Sequence, residues 1–451
     1  MNTRRVSSRA ELSTMTAENH QNGVSHDHCI TDSANTNNCK TKERVPLHPT
    51  AAKLRRMSTS EDSQDNCNET DRPIDPPNSQ RSKDVVTDEM VRRRAFRWCQ
   101  DSIGGAWLGV ASENELIITH ISGGMSNYLY LIALPPGTKP VNGEPMDVLL
   151  RIYGQISKST LDFLVHNSVV FALLAERNLG PKPFGMYHDG RIEEFIKGRP
   201  LVPTDLRKPH VMNLVAEKLA RFHSLDMPLC KKPRWFKSMV RGWIKDVQNN
   251  PETYKMAKDA LEKMSPNFDL ETEFKDLLRT ASNLNCPVVF CHNDLQGGNV
   301  LFADQSSDTV PAKITIIDWE YAHYNFRGFD LGNHFNEWMF DYSSTGKPGF
   351  EHNFKHYPSR EEQFHFFRAY LKATEGEGRV SDEMKDAELW SLYRETNTLA
   401  LHSHFLWGVW AIVQSLTSSI DFDYVAYSLT RFQAYFDMKA KLPQMLASCE
   451  S

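Results

Sequence analysis

Three polar residues in the C-terminal half of the chain have the types and spacing that phosphoryl transfer requires. Asp294 and Asn299 stand five residues apart in a glycine-containing loop of the stretch 288–302, flanked by short strand-like runs. Asp318 ends a second apolar run, 314–317. An acid can take the proton of an attacking hydroxyl, while an amide oxygen and a second carboxylate can bind the Mg2+ that bridges nucleotide phosphates. The pattern predicts a phosphotransferase centre.

Each of these residues also has a structural interpretation. A loop aspartate usually stabilises a turn or caps a helix, and the spacing Asp-x-x-x-x-Asn often occurs by chance. The ordered set of His292-Asn293-Asp294, Asn299 and Ile316-Ile317-Asp318 is much rarer, which favours the catalytic interpretation. Cys291 and His292 are interpreted as framework rather than as nucleophile or ligand.

The predicted elements that must position this loop divide the chain into a strand-rich part and a helix-rich part. Five strand-like runs, with one apolar helix, 169–177, between the third and the fourth, predict a small antiparallel sheet with a helix against it. These runs are 116–121, 128–134, 148–153, 184–187 and 192–196. A capped helix begins near Thr87, and beyond Gly198 helical periods dominate. These helices are 211–225, 235–247, 270–284, 361–374, 382–416 and 424–439. The predicted fold class is α+β with two lobes.

The N-terminal segment differs in composition from the rest. The first aromatic residue is Phe96, and residues 1–85 are rich in Ser, Thr, Asn, Asp and Pro. Such a segment cannot bury enough apolar surface to offset its chain entropy, so we predict disorder over 1–85. Ser7 and Ser58 each follow an arginine pair by two residues, which suits a basophilic protein kinase, although chance occurrence is the simpler explanation. The expected domains are 1–85, a sheet lobe 86–197 and a helical lobe 198–451.

Bulk properties exclude several classes of protein. A net charge of -5 and a pI near 6.4 leave no basic footprint for nucleic acid. The 8 cysteines form no Cys-x-x-Cys pair, so neither a disulfide framework nor a zinc site is expected. There is no apolar signal core, and the longest informative apolar run, 405–413, is too short to cross a bilayer. These features predict a cytoplasmic protein without an integral membrane segment.

Several longer motifs make the chain resemble a known family. They are Ser122-Gly123-Gly124-Met125-Ser126-Asn127, Leu149-Leu150-Arg151-Ile152-Tyr153-Gly154, the stretch 288–302, Ile317-Asp318-Trp319-Glu320-Tyr321, the stretch 324–335 and the stretch 403–410. Together they resemble the choline/ethanolamine kinase family, within the protein-kinase-like and aminoglycoside-phosphotransferase-like fold. The resemblance covers roughly residues 90 to 440.

This resemblance implies roles for the loop residues. Asp294 corresponds to the catalytic acid-base residue, while Gln296, Asn299 and Asp318 correspond to groups at the metal and the phosphates. The resemblance also implies ATP and Mg2+, phosphorylation of an amino-alcohol hydroxyl, and a homodimer. No dimer interface can be located from the sequence.

The sheet lobe supplies the candidate nucleotide contacts. Gly123 and Gly124, with Ser126 and Asn127, are expected to cover phosphates, although an ordinary hairpin turn explains the same residues. Because only two glycines are present, this loop departs from a protein kinase's Gly-x-Gly-x-x-Gly.

A second group of nucleotide contacts follows in the same lobe. Arg151 ends a strand where a protein kinase carries its lysine; in the resembling family this residue contacts phosphates, with Glu176 as a candidate partner. A strand-end surface charge is the alternative. Glu194 and Ile196 stand where a hinge should meet adenine.

The segment 329–334 stands where a protein kinase has its activation segment. No Ala-Pro-Glu follows it, so a protein substrate is not expected. Asp330 and His334 in this segment are predicted to brace the catalytic loop through hydrogen bonds rather than to take part in the chemistry.

The acceptor site is predicted from aromatic residues. Trp407 and Trp410 are three apart on the long helix and share a face, which by spacing alone indicates core packing. The resemblance instead assigns both to a choline pocket with Glu337 as its carboxylate. The other assigned residues are Tyr321, Tyr342, Phe422 and Tyr427. A quaternary ammonium has no N–H donor and is held by aromatic faces. The stretch 337–342 looks more like choline kinases than ethanolamine-selective relatives, so choline is preferred.

Three hypotheses follow. The first is an ATP-dependent choline kinase with weaker ethanolamine activity, and the second is an ethanolamine-preferring kinase. The third is a catalytically silent choline-binding scaffold, which would need a damaged catalytic set; Asp294, Asn299 and Asp318 are all present.

Overall fold

The structure is a computed structural model that describes residues 86–121, 126–154, 161–303, 313–344, 346–375 and 382–447. Predictions for 1–85, Gly123 and Gly124 lie outside this range. The helices are α1 (Asp88–Ser102), α2 (Leu161–Glu176), α3 (Pro203–Leu206), α4 (Pro209–His223), α5 (Trp235–Gln248), α6 (Pro251–Met264), α7 (Leu270–Asn283), α8 (Arg327–Glu337), α9 (Arg360–Glu375), α10 (Asp382–Thr417) and α11 (Tyr424–Ala447). The strands are β1 (Ile117–Ile121), β2 (Asn127–Ala133), β3 (Asp147–Tyr153), β4 (Pro183–Tyr187), β5 (Gly190–Glu194), β6 (Arg199–Pro200), β7 (Val288–Cys291), β8 (Val300–Ala303), β9 (Lys313–Ile316), β10 (His323–Phe326), β11 (Phe340–Asp341) and β12 (Glu351–His352).

The N-terminal lobe is built on a five-stranded antiparallel sheet in the order β1-β2-β3-β5-β4. Side chains alternate across it, so that Ile132 of β2 and Val148 of β3 are paired and buried on one face. Helix α1 packs on this face; its N-cap is Thr87, whose hydroxyl accepts from the amide of Met90 at 3.3 Å. The antiparallel sheet and the capped helix confirm the predictions for this lobe.

The helical lobe is organised around α10. This helix has 36 residues, and every residue from 395 to 414 is buried because α8 and α11 pack along it. Polar residues interrupt the buried segment, including His402 and His404. Within the described part of the chain, no helix combines the length and apolar character needed to cross a bilayer.

The catalytic loop joins two small sheets. Strand β7 pairs antiparallel with β10, whereas β8 pairs with β9 and β6 in a separate three-stranded sheet. Both flanking runs are therefore strands, as predicted, but they do not pair with each other. Because the loop between them bridges two sheets, its ends are held by different parts of the lobe.

Three helices were not predicted from the sequence, the four-residue α3 and the longer α6 and α8. In α8, Gly328 and Gly332 lower the intrinsic helix propensity, and every residue from 328 to 337 is buried. A Cβ atom at either glycine would lie 2.7 Å from a backbone oxygen of α10, that of Glu395 or Thr396. The glycines permit a close backbone approach, so tertiary packing rather than propensity determines this helix.

We expect Gly332→Ala to destabilise the fold. The added methyl group meets backbone atoms that cannot rotate away, and overpacking of this kind costs about 1–3 kcal/mol. Gly242→Ala in the middle of α5 is the matched control, because no heavy atom lies within 4 Å of the position that its Cβ atom would take and alanine favours a helix by about 1 kcal/mol. Equilibrium denaturation should show opposite signs for the two variants. A loss of stability in both would contradict the close approach of α8 and α10.

Candidate active site

One buried carboxylate holds two backbone amides of the catalytic loop. Directly after β7, the amides of His292 and Asn293 donate to Asp330 Oδ2 and Oδ1 at 2.7 and 2.8 Å. His223 Nε2 lies 3.0 Å from Asp330 Oδ2. Burial opposes ionisation, but hydrogen bonding and the charge of His223 leave the pKa of Asp330 below its ordinary value. Asp330 therefore remains an acceptor and sets the direction in which the loop leaves the strand, as predicted.

Asn293 and His334 complete the support of the loop. Asn293 has a φ of 67°, a left-handed conformation that asparagine tolerates, and its Nδ2 donates to the carbonyl of Tyr321 at 2.9 Å. Burial lowers the pKa of His334 to about 4, so its imidazole is neutral. Its Nδ1 then donates to Leu295 O at 3.1 Å, while Nε2 accepts from Trp338 Nε1 at 3.3 Å.

Asp294 and Asn299 face each other across the short turn Gly297–Asn299. Asn299 Nδ2 donates to Asp294 O at 2.8 Å and to Asp294 Oδ2 at 3.0 Å. Burial raises the pKa of Asp294 well above its ordinary value, and the charges of Glu337, Asp318 and Glu320 add to the rise. Several carboxylates therefore converge on the position predicted for the base.

Asp318 is linked to the same loop through backbone contacts. The amide of Ile317 donates to Asn299 O at 2.9 Å, and His292 Nε2 lies 2.9 Å from Ile317 O. Asp318 itself has a φ of 64°, a sparsely populated conformation for a non-glycine residue. Backbone strain of this kind costs about 1–3 kcal/mol and clusters at functional sites. The structure thus brings Asp318, which follows β9, to the turn between β7 and β8 that carries Asp294 and Asn299.

Arg151 connects the sheet lobe to Asp318. Its Nη1 lies 3.2 Å from each carboxylate oxygen of Asp318, and its Nη2 lies 3.3 Å from Glu193 Oε1. Burial opposes the charge of Asp318, but Arg151 lowers the pKa of this carboxyl below its ordinary value. Arg151 is 2% exposed, so the surface-charge alternative is wrong. Glu176 is exposed at the end of α2, and the partner expected there is instead Glu193.

Glu320 was missed as a site residue, although it stands two residues after Asp318. Its Oε2 accepts from Asn127 Nδ2 at 3.0 Å, and Asn127 Oδ1 accepts from the amide of Gly154 at 3.2 Å. Asn127 thus links β2 and the end of β3 to the loop that follows β9. A Cβ atom at Gly154 would lie 2.0 Å from Ser126 O, so only glycine fits this approach. The signal that could have found Glu320 was its acidic character within the motif 317–321 that follows β9.

The remaining predicted nucleotide residues lie at the edges of the site. Glu194 ends β5, where its amide donates to Lys182 O at 2.8 Å and its carboxylate accepts from the amide of Lys182 at 3.1 Å. Ile196 follows it and is half-buried. The amide of Gln296 donates to Asp294 O at 3.0 Å, and its side chain is half-buried.

The predicted acceptor residues form an aromatic cage in the helical lobe. Trp407 and Trp410 are buried with ring centroids 5.5 Å apart at 85°, and Tyr321 lies 5.3 Å from Trp407. Tyr427 contacts Trp410 at 6.4 Å and Phe422 at 5.5 Å. Trp407 Nε1 donates to Asn333 Oδ1 at 2.8 Å, which fixes that ring. The cage thus joins the loop after β9 to residues of α10, α11 and the connection between these two helices.

Glu337 lies at the end of α8 against this cage and is neutralised by a residue that was not predicted. Arg431 Nη2 donates to Glu337 Oε1, and the Tyr342 hydroxyl donates to Glu337 Oε2 at 2.8 Å. The Tyr342 and Tyr427 hydroxyls lie 2.9 Å apart. Arg431 is buried four residues after Tyr427 on α11, and this helical spacing was the available signal.

The residues on the Asp318 side fit a divalent cation. Mg2+ takes oxygen ligands and is usually held by one or two carboxylates, with waters and substrate phosphates completing the shell. The Asp318 side chain is 23% exposed, and Asn299 directs its Nδ2 to Asp294, which leaves Oδ1 as its other polar atom. Burial and the charges of three neighbouring carboxylates raise the pKa of Asp294, and a bound cation would offset the contribution of those charges.

Comparisons with known proteins agree with this geometry. The family model of choline/ethanolamine kinase matches residues 118–436. The choline/ethanolamine kinase of Homo sapiens is 39% identical over 377 residues, covering 83% of this chain and 93% of that protein. Choline kinase alpha of Mus musculus is 40% identical over 378 residues, with 80% and 83% covered. The probable ethanolamine kinase A of Dictyostelium discoideum is 35% identical over 331 residues, with 73% and 87% covered.

Solved structures show the same fold. The choline kinase of Cryptosporidium parvum has a TM-score of 0.58 at 28% identity and covers 78% of this chain and 96% of that chain. An ethanolamine kinase of Plasmodium vivax has a TM-score of 0.60 at 21% identity, with 80% and 93% covered, a similarity that shows fold alone. These matches confirm the predicted two-lobed α+β class.

We expect Asp294→Asn to stabilise the metal-free protein near pH 8. The folded-state pKa of Asp294 is raised, so its ionised form costs stability above that pKa, and the cost disappears as the pH falls below the unfolded value of about 3.9. Removing the charge should raise Tm by roughly 2–4 °C for each kcal/mol recovered. Thermal denaturation in a chelator at pH 8 and pH 5 measures the difference.

Asp318→Asn is the matched control with the opposite sign. The pKa of Asp318 is lowered, so its ionised form contributes stability that is present above about pH 3.9 and is lost as the pH falls through the folded value. This variant should lower Tm at pH 8. If Tm changed in the same direction in both variants, the opposite pKa shifts assigned to Asp294 and Asp318 would be wrong.

Proposed function

The chain belongs to the choline/ethanolamine kinase family, and we propose that it transfers the γ-phosphoryl group of ATP to the hydroxyl of choline, with ethanolamine as a weaker substrate. The products are phosphocholine and ADP, and phosphocholine serves phosphatidylcholine synthesis. The observation that carries this proposal is the buried aromatic cage beside Asp294. Glu337 accepts from the Tyr342 hydroxyl of the pocket, and after burial its charge contributes to the raised pKa of Asp294, so the proposed ammonium site and the proposed base share one electrostatic environment.

Asp294 is the proposed general base. Its carboxylate accepts the proton of the choline hydroxyl as the hydroxyl oxygen bonds to the γ-phosphorus, and ADP leaves with the electron pair of the broken bond. Asn299 Nδ2, 3.0 Å from Asp294 Oδ2, favours the ionised form. In the free protein the neighbouring carboxylates oppose ionisation. A cationic substrate against the cage and a cation at Asp318 both reduce that opposition, so binding activates the base.

The proposed metal ligands are Asp318 and Asn299. A bound Mg2+ supplies charge neutralisation to the β- and γ-phosphates. Arg151 lies against Asp318 and is placed to contact phosphate oxygens, in the role that the family resemblance implies. Ser126 and Asn127 at the start of β2 are proposed to cover the phosphates, and Glu194 and Ile196 to lie along the adenine.

The preference for choline follows from the character of the pocket. Most residues assigned to it are aromatic, and aromatic faces attract a quaternary ammonium by about 0.5–2 kcal/mol per contact and require no N–H donor. An ethanolamine-preferring kinase is the second candidate, because the relatives include proteins named as probable ethanolamine kinases. A silent choline-binding scaffold fits less well, since Asp294, Asn299 and Asp318 are assembled around one turn.

The assembly is proposed from the family resemblance, and the location from the scattered cysteines, which suit a reducing compartment. We expect a homodimer in the cytoplasm, with Mg2+ as the working metal. Light scattering coupled to size exclusion, and fractionation of cells that express the tagged chain, test the first two. Replacing Mg2+ with Ca2+ in the assay tests the third, because the larger ion does not hold the octahedral geometry that Mg2+ imposes on phosphates.

We expect the purified protein to release ADP from Mg-ATP when choline is added. The specificity constant for choline should exceed that for ethanolamine, and an aminoglycoside should give no turnover. Asp294→Asn should abolish turnover while retaining nucleotide binding, because the base acts only in the chemical step. Binding of choline without turnover would support the scaffold, and a ratio favouring ethanolamine would support the second candidate.

We expect Trp410→Ala to raise the apparent KM for choline much more than that for ATP. The substitution removes one wall of the cage, and loss of a cation–π contact corresponds to roughly a twofold to thirtyfold effect. Trp390→Ala is the matched control, since Trp390 lies on the same helix and contacts Phe364 and Tyr393 instead. Equal changes in both KM values for Trp410→Ala would indicate that its role is packing alone.

A further inference from the structure

The guanidinium of Arg431 is buried next to the cage. A positive charge is unexpected there, because the proposed substrate is itself a cation. Arg431 and Glu337 have side chains 1% and 2% exposed, and they form an ion pair. We propose that Arg431 is a positioning residue that sets the preference for a quaternary over a primary ammonium. This proposal rests on the proposed function of the same site. It concerns how that site discriminates between two substrates.

Arg431 occupies acceptors that a primary ammonium would need. Its Nη2 donates to Glu337 Oε1, while Glu337 Oε2 accepts from the Tyr342 hydroxyl at 2.8 Å. The hydroxyl oxygen of Tyr427 accepts from Arg431 Nε at 2.8 Å and from Nη2 at 2.6 Å. Both oxygens of the only carboxylate assigned to the pocket are therefore engaged before substrate enters, and the charge of this carboxylate is paired.

A third polar oxygen near the cage is also used. Asn333 Oδ1 accepts from Trp407 Nε1 and from Ser403 Oγ, each at 2.8 Å. Because both lone pairs of this oxygen are taken, it is not available to an ammonium N–H. Of the polar oxygens around the cage, those of Glu337, Tyr427 and Asn333 are therefore engaged, whereas the hydroxyl of Tyr321 has no hydrogen-bond partner among the described residues.

The guanidinium also orders the rings. Its central carbon lies 4.1 Å from the centroid of Phe340 and 5.0 Å from that of Tyr427. Nη1 lies 3.4 Å from His404 Nδ1, and burial with the charge of Arg431 holds the pKa of His404 well below its ordinary value, so this imidazole is a neutral acceptor. The arginine thus fixes the positions of the Phe340 and Tyr427 rings.

These contacts discriminate between substrates by their N–H groups. Choline brings no ammonium N–H into the pocket and loses no hydrogen bond there. Ethanolamine brings three, and donors that leave water without finding acceptors cost binding free energy. When the arginine is removed, Glu337 Oε1 and the Tyr427 hydroxyl become available, and a primary ammonium can replace the guanidinium as the counter-ion of Glu337.

The test compares specificity constants for choline and ethanolamine in the full-length protein and in Arg431→Met. We expect the ratio of ethanolamine to choline to rise roughly tenfold, equivalent to about 1.4 kcal/mol. In Arg431→Met, methylammonium should become a stronger competitive inhibitor relative to tetramethylammonium. This readout does not depend on the chemical step. A ratio unchanged within about twofold would overturn the proposal.

Arg327→Met is the matched control. Arg327 also pairs with a buried carboxylate, that of Glu395, but it stands at the start of α8 away from the cage. This variant should leave the substrate ratio unchanged, and an equal shift in both variants would mean that the effect is structural, which also overturns the proposal.

If Arg431→Met does not fold, Tyr342→Phe provides the same test without an unpaired buried charge. It frees Glu337 Oε2, so the ratio should shift toward ethanolamine by a smaller factor, and no shift would overturn the proposal. Failure of the proposed function is a separate result, because it is a wild-type protein without turnover on either alcohol.

Discussion

The site depends on the carboxylate of Asp330, which accepts the amides of His292 and Asn293. This contact fixes where the chain turns after β7 and therefore where Asp294 emerges. His292 contacts the carbonyl of Ile317, so the same constraint reaches Asp318 on the next loop. Asp330 lies on α8, and Glu337 lies two turns further along it, about 10 Å by the rise of a helix. One helix thus determines the distance between the loop and the ammonium site.

Helix α8 can perform both tasks because it packs closely on α10. Gly328 and Gly332 bring its backbone against that of the longer helix. The same helix carries Trp407 and Trp410, C-terminal to this contact. The cage, the carboxylate and the base are therefore positioned by two rigid elements rather than by flexible loops. Such preorganisation matters for phosphoryl transfer, where the protein contributes mainly positioning and electrostatic stabilisation.

Electrostatics in the site are arranged for cationic ligands. Asp294 lies among the charges of Glu337, Asp318 and Glu320, whereas Arg151 and Arg431 each pair with one of these carboxylates. The free protein retains a repelled carboxylate at the position of the base. This costs stability, and the proposed ligands carry the charge that relieves it. The proposed mechanism therefore exchanges stability of the free protein for activation of the proposed base on binding.

The strands and helices were largely predictable from periodicity, and the failures arise from contacts between residues that are distant in the sequence. The antiparallel sheet and α10 follow from alternating and helical patterns of apolar residues, which reflect which face is buried. Helix α8 was missed because its glycines oppose helix formation in isolation, and only the contact with α10 compensates for them. The partner of Arg151 was assigned by position along the chain to Glu176, but β5 pairs with β3 and places Glu193 beside it.

The sequence by itself was enough to predict the chemistry, because the proposed roles of Asp294, Asn299 and Asp318 rest on their residue types and short spacings, and their motifs are local. It also determined the bracing roles of Asp330 and His334, which follow from their place after the catalytic loop. Only the tertiary structure decided which charges are paired. Arg431 with Glu337, and Asn127 with Glu320, are 94 and 193 residues apart, and contacts at such separations depend on how helices and sheets pack rather than on any pattern along the chain.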